Sequence, residues 1–312
     1  MKIGILGTGF GAYHVEVYKN ISDSNTIKIY GRNTEKLASL GEKLRIETTN
    51  DIESIITDKN IDLVDVCLPS SIHKKYVIEA LKNGKDVFCE TPAALNMEDA
   101  SQMLTASKKY GGRVFVDNFI KFDAPYKYLY DTINNNSLGK LNVLHMKRKT
   151  PPFWGSLGFD RIATDLMIHD FDYISMLFGE PDNISVHGIE PASGLSHVEA
   201  LLTYDNTAVS IEGSSLMPYS YPFTTSYEAD FENGTIEFSK QQSSVKTETS
   251  LKLFTKDKCK PIEIKEENCY ELAFKDVLNS CQNNQSSILS LENAVKSLKT
   301  ALKVKNDLSL LK

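Results

Sequence analysis

Over the first 120 residues, short apolar runs alternate with stretches of helical periodicity. Lys2–Leu6 is apolar and runs into Gly7-Thr8-Gly9-Phe10-Gly11-Ala12, after which Tyr13, Val17 and Ile21 recur at i, i+4 spacing. A second strand is predicted at Thr26–Tyr30, a helix over 34–43, a buried strand over 62–68 and a helix over 72–82. Residues 86–90 form the next strand. Asn96 then caps a helix with Glu98 and Asp99 in its first turn, and 113–119 makes a further strand. Strands spaced by helices of about ten to fifteen residues imply right-handed crossovers and a parallel sheet.

Beyond about residue 122 the pattern turns to β-rich runs at Leu141–Lys149, 184–189, 198–204, 208–213 and Phe223–Phe231. Asn233-Gly234 between two alternating runs predicts a type I′ hairpin. Strands over 251–254 and 261–264 follow, and helices over 270–281 and 291–310 close the chain. The expected architecture is α/β: a Rossmann doubly wound parallel sheet over 1–121, then an α+β domain over 122–312 with a large, mostly antiparallel sheet. The C-terminal helix is left able to pack back on the first domain, and the active site is expected in the cleft between the two.

The glycine run narrows the chemistry. Strand, glycine turn and helix make the context in which G-x-G-x-x-G/A binds a dinucleotide. Gly7 permits the turn, Gly9 lets backbone approach a pyrophosphate, and the small Ala12 lets the helix lie close to the strand. The helix N-terminus then offers N–H groups to phosphate. After the second strand stands Gly31-Arg32-Asn33, with no carboxylate before Glu35. An arginine there suits a 2′-phosphate, so NADP(H) is favoured over NAD(H); a solvated arginine beside a helix cap is the plainer alternative. In the second half, Asp165 and His169 stand four apart, on one face of a regular helix. They read either as a carboxylate–histidine acid–base pair or as a surface pair. One histidine among scattered carboxylates predicts no metal site.

Composition adds exclusions. The 312 residues carry a net charge of −6, with 41% hydrophobic and 24% charged positions, which argues against nucleic acid or an anionic membrane as partner. No apolar run is long enough to span a bilayer. The opening MKIGILG lacks a signal-peptide pattern, and the five cysteines show no CxxC pairing. A cytoplasmic protein is expected.

Together these features resemble the Gfo/Idh/MocA oxidoreductases along essentially the whole chain. Gly7 to Ala12 with His14 is similar to the family's opening loop. Val66 to His73, including Leu68 and Pro69, resembles its strand-to-loop segment beside the cofactor. Residues 80–90 lead into Glu90-Thr91-Pro92 where the family has Glu-Lys-Pro, and Asp165 to His169 followed by Gly179-Glu180-Pro181 resembles its substrate-domain helix. The resemblance implies hydride transfer between a nicotinamide and a carbinol carbon of a sugar, cyclitol or related polyol. It also implies a homodimer or homotetramer. His169 would exchange the hydroxyl proton, with Asp165 orienting it or binding a substrate hydroxyl. Thr91 lacks the signature lysine's charge. Lys121 is the expected replacement, while Lys147, Lys149 and Arg161 are expected either to bind an acidic substrate group or to face solvent. The alternatives are a catalytically idle nucleotide- or sugar-binding regulator, or a redox-neutral enzyme using bound NAD.

Overall fold

The computed structural model describes residues 1–22, 26–192, 194–265 and 267–311. By its own contacts the chain forms two compact units, Met1–Phe122 with Glu267–Val295, and Asp123–Glu266 with Lys296–Lys312.

The first unit holds β1 (Lys2–Leu6), α1 (Gly11–Ile21), β2 (Thr26–Tyr30), α2 (Thr34–Leu44), β3 (Glu47–Thr49), α3 (Glu53–Ile56) and β4 (Leu63–Val66). There follow α4 (His73–Lys82), β5 (Asp86–Cys89), α5 (Met97–Tyr110) and β6 (Val114–Val116). The six strands pair in parallel in the order β3-β2-β1-β4-β5-β6, the doubly wound sheet expected. Burial of β1 from Ile3 onward and of all of β4 explains why these strands are apolar apart from Asp65. Sequence periodicity missed the three-residue β3 and the four-residue α3, both too short to show a period.

The second unit opens with α6 (Ala124–Asn134), a helix absent from the sequence reading although Pro125, Tyr126, Leu129 and Thr132 form its buried stripe. Next come β7 (Leu141–Lys149), α7 (Ile168–Phe178), β8 (Asn183–Ala192), β9 (Leu195–Tyr204), β10 (Thr207–Ser214), β11 (Phe223–Phe231), β12 (Gly234–Gln242), β13 (Thr247–Thr255) and β14 (Lys258–Pro261). These strands form one eight-stranded sheet, β14-β13-β12-β11-β7-β10-β9-β8, antiparallel except for β7 against β10. The β11–β12 hairpin is present, but Phe231 pairs with Gly234, so its loop is Glu232-Asn233. Neither loop residue has positive φ, so the turn is not the type I′ expected, which needs it at both.

Two later helices follow. α8 (Cys269–Asn283) lies wholly in the first unit, where Ala273, Phe274, Val277 and Leu278 join the core of α1 and the parallel sheet. α9 (Leu291–Ser309) begins in the first unit and ends in the second. Among the described residues no helix is long and apolar enough to cross a membrane.

Candidate functional site

The glycine loop is built as a dinucleotide loop requires. Gly7 has φ +115°, and a Cβ there would lie 2.4 Å from the Cys67 carbonyl oxygen. A Cβ on Gly9 would meet nothing within 4 Å, so the loop backbone is open on that side. Close packing of helix on strand falls to Gly11, whose Cβ would come 2.9 Å from Ile5 and 3.3 Å from Cys67. The next residue, Ala12, is half-buried. Phe10 is 45% exposed at the start of α1, and a Cβ on Gly31 would lie 2.5 Å from the Thr8 side-chain methyl. The open backbone, the tight turn and the N-terminus of α1 fit a dinucleotide's pyrophosphate. Arg32 is exposed just beyond β2. Asn33 spends its side-chain oxygen capping α2 through the Lys36 N–H at 2.9 Å.

Behind this loop lies a buried ionisable cluster that periodicity gave no reason to expect. His14 Nδ1 is 2.8 Å from Asp65 Oδ2, which also accepts from the Tyr18 hydroxyl at 3.0 Å. On the ring's other side, His14 Nε2 lies 2.9 Å from Glu90 and 3.7 Å from Asp117. The Cys67 thiol stands 3.3 Å from both His14 Nδ1 and Asp65. Burial would lower the His14 pKa, but the Asp65 charge and then Cys67 overcome it and hold it well above the usual value. Burial, then the Glu90 charge, raises Asp117 well above the carboxylate range. One signal was legible: Asp65 interrupts the apolar run Leu63-Val64-Asp65-Val66, where a carboxylate must find partners.

His73 is a brace. Its two ring nitrogens lie 2.7 Å from the Leu68 carbonyl oxygen and 3.1 Å from that of Pro92, tying the loop after β4, with the exposed Pro69, to the loop after β5. Glu90 continues β5 by donating its N–H to Val66. Thr91 is half-buried and precedes Pro92 through a cis peptide. Lys121 is buried; its ammonium donates to the Ile288 carbonyl at 3.0 Å. Burial pushes the Asp276 carboxyl up, opposed by Ser287 and by the Lys121 charge. Lys121 is thus hydrogen-bonded within the first unit.

In the second unit the helix expected through Asp165 and His169 is not regular. Ile162–Leu166 is a π turn and α7 starts only at Ile168, so four-residue spacing no longer sets one common face. Asp165 instead pairs with Arg161, at 2.8 Å from Nε and 2.7 Å from its terminal nitrogen, and accepts from Thr164 at 2.9 Å. His169 is half-buried. Burial, then the charge of Arg148, pulls its pKa down to about 3, so at neutral pH the ring is neutral. Arg148 reaches Asp170 through two hydrogen bonds of 2.7 and 2.8 Å, both side chains buried, a pair the sequence reading did not single out. Lys149 and Lys147 share Glu212, at 2.7 and 3.8 Å. Each cation weighed as an anchor for an acidic substrate therefore already faces a carboxylate.

Family comparisons bear on what these two units are. Residues 1–118 match the model described as an oxidoreductase family with an NAD-binding Rossmann fold, and residues 126–237 match the same family's C-terminal domain. The chain belongs to the Gfo/Idh/MocA oxidoreductase family. It is 34% identical over 188 residues to myo-inositol 2-dehydrogenase of Thermotoga maritima, an alignment covering 58% of this chain and 55% of that enzyme. In three dimensions it is similar to UDP-N-acetylglucosamine 3-dehydrogenase from Acidithiobacillus ferrooxidans, with TM-score 0.83 at 18% identity over 98% of this chain and 97% of that one. An Agrobacterium radiobacter oxidoreductase in complex with NAD+, L-tartaric acid and magnesium superposes with TM-score 0.84 at 16% identity, covering 96% and 94%. At such identities the two structural likenesses speak for the fold alone.

Proposed function

We propose that this protein is an NAD(P)-dependent oxidoreductase that moves a hydride between nicotinamide and a carbinol or ketone carbon of a sugar, cyclitol or related polyol. The observation that carries the reading is the Gly7–Gly11 loop, closed wherever the fold needs close packing and open at Gly9 where a pyrophosphate needs room. The inositol dehydrogenases among its sequence relatives support the substrate class. A bound nicotinamide supplies the hydride acceptor or donor. The chain's own part is to hold it through the backbone of Gly7 to Ala12, with Arg32 placed to favour a 2′-phosphate and hence NADP(H). Neutral His169 takes the hydroxyl proton in oxidation, because a neutral alcohol is a poor hydride donor, and returns it in reduction. Asp165 keeps Arg161 beside it and offers a carboxylate to a substrate hydroxyl.

The test is a titration of the purified protein with NADPH and NADH followed by nicotinamide fluorescence, then a panel of polyols and keto-sugars followed by nicotinamide absorbance. Cofactor binding with turnover on a polyol supports the reading; binding without any turnover opposes it. One observation favours the second reading, a nucleotide-binding regulator: Lys121, Lys147, Lys149 and Arg161, the cations weighed to replace the lysine missing at Thr91, are each held by other groups. Losing one preorganised donor costs on the order of 10²- to 10³-fold in rate, so a slow enzyme is expected rather than a fast one.

A further inference from the structure

In the first unit's sheet β4 lies between β1 and β5, so no strand pairing joins the glycine loop after β1 to Glu90-Thr91-Pro92 after β5. The wholly buried His14 spans that gap. On the loop side its backbone N–H donates to the Phe10 carbonyl at 3.1 Å, and its ring stands edge-on to the Phe10 ring, 5.2 Å between centroids. On the far side its Nε2 reaches Glu90 at 2.9 Å, while Nδ1 is anchored on Asp65 of β4 at 2.8 Å. The other groups around the ring come from every neighbouring element. Tyr13 and Tyr18 share its helix, Cys67 follows β4, and Asp117 follows β6 at 3.7 Å. The Phe88 ring of β5 and the Phe274 ring of α8 close over it, and Tyr270 of α8 faces Asp117 and Glu90.

The Glu90 contact depends on charge. Nε2 and the Glu90 oxygen are close but off the hydrogen-bond line, so attraction between an imidazolium and a carboxylate holds them, strongly because the site is buried. Burial opposes a charged ring, but Asp65 and then Cys67 outweigh it and raise the His14 pKa. A neutral ring would leave Glu90, 18% exposed at its side chain, without a counter-charge and able to turn towards solvent. We propose that charged His14 is a positioning residue, fastening the glycine loop and the Glu90-Thr91-Pro92 segment in one geometry for a single bound dinucleotide. The inference rests on the dinucleotide reading of Gly7 to Ala12. Being wholly buried, His14 acts through the two loops rather than on the cofactor itself.

The test follows isotope-labelled full-length protein by NMR from pH 6 to pH 10, with NADPH affinity read by nicotinamide fluorescence over the same range. At pH 7 the His14 ring, assigned through its own backbone amide, should carry a proton on both nitrogens. That charge is present below the ordinary histidine value and is lost as pH rises through the raised one. As it is lost, the Gly11 and Thr91 amides should shift with the ring's midpoint, and NADPH should bind at least about fivefold more weakly. Reciprocity requires bound NADPH to raise that midpoint by the same factor. Glu90→Gln, at a part-exposed position that accepts a neutral side chain, should move the Gly11 amide at pH 7 and weaken NADPH as much. This variant decides if the ring stays charged to pH 10. A neutral His14 ring at pH 7, loop amides that do not follow its titration, or a Gly11 amide unmoved in Glu90→Gln each overturns the proposal. So does NADPH affinity that is the same with the ring charged, with it neutral and in Glu90→Gln. Failure to bind NADPH at all would instead refute the dinucleotide reading, and the amide shifts would still decide whether His14 joins the two loops.

Discussion

The depressed pKa of His169 makes a quantitative claim about acid stability. Folded, the ring titrates at about 3, against 6.5 for an ordinary histidine. Between those values the unfolded chain takes up a proton that the folded chain refuses, so stability falls as pH falls from about 6.5 towards 3. At 1.36 kcal/mol per unit, taking the group from pH 7 to pH 5 costs about 2 kcal/mol. His169→Gln removes this contribution and leaves the other titrating groups in place. The assay is urea unfolding at pH 7, 6 and 5, followed by the fluorescence of Trp154, the chain's single tryptophan, which lies in the same unit as His169. The pH dependence of stability should be shallower in the variant by about 2 kcal/mol across this span. Equal slopes in the two proteins would refute the reasoning and mean that His169 protonates freely in the folded state.

Other predictions follow from single contacts. Gly9→Ala should leave stability within about 0.5 kcal/mol, since its methyl meets nothing within 4 Å, yet weaken NADPH binding at least tenfold by fluorescence titration. Gly11→Ala should destabilise by about 1–3 kcal/mol in the same urea assay, because Ile5 and Cys67 leave no room for the methyl. Arg148→Met should cost about 3–5 kcal/mol by stranding the buried Asp170 carboxylate, and should raise the His169 pKa in an NMR titration. Arg32→Ala should weaken NADPH by roughly tenfold while leaving NADH nearly unchanged, a charge-assisted bond being worth about 1.5–3 kcal/mol.

What was legible in the sequence follows its periods. The runs at β1, β4 and β5 are mostly apolar because both sheet faces are covered, with Asp65 the buried exception, and the alternation in β7 and β9 marks strands with one wet face. The glycine loop was readable because its chemistry is local. Facts depending on one extra residue were not readable. The π turn at Ile162–Leu166 changes how Asp165 and His169 face, and the hairpin loop falls one residue earlier than Asn233-Gly234 suggests. Partners distant in the chain were equally invisible. Arg148 and Asp170 each read as surface charge until β7 and α7 bring them together, and His14, Asp65, Glu90 and Asp117 meet only at the ends of separate strands and a helix. Lys121 was chosen for its place after β6, whereas its partner Ile288 comes from a segment that returns to the first unit after the whole second sheet.

The central claim, that His169 exchanges a proton as hydride moves, is tested most directly by single-turnover kinetics of His169→Gln. With a polyol that the unaltered protein oxidises, and cofactor in place, nicotinamide absorbance is followed in stopped flow. The expected result is a cofactor Kd unchanged within about twofold and a hydride-transfer rate lower by roughly 10²- to 10⁴-fold. A variant that binds cofactor equally well and transfers hydride at the unaltered rate would contradict it.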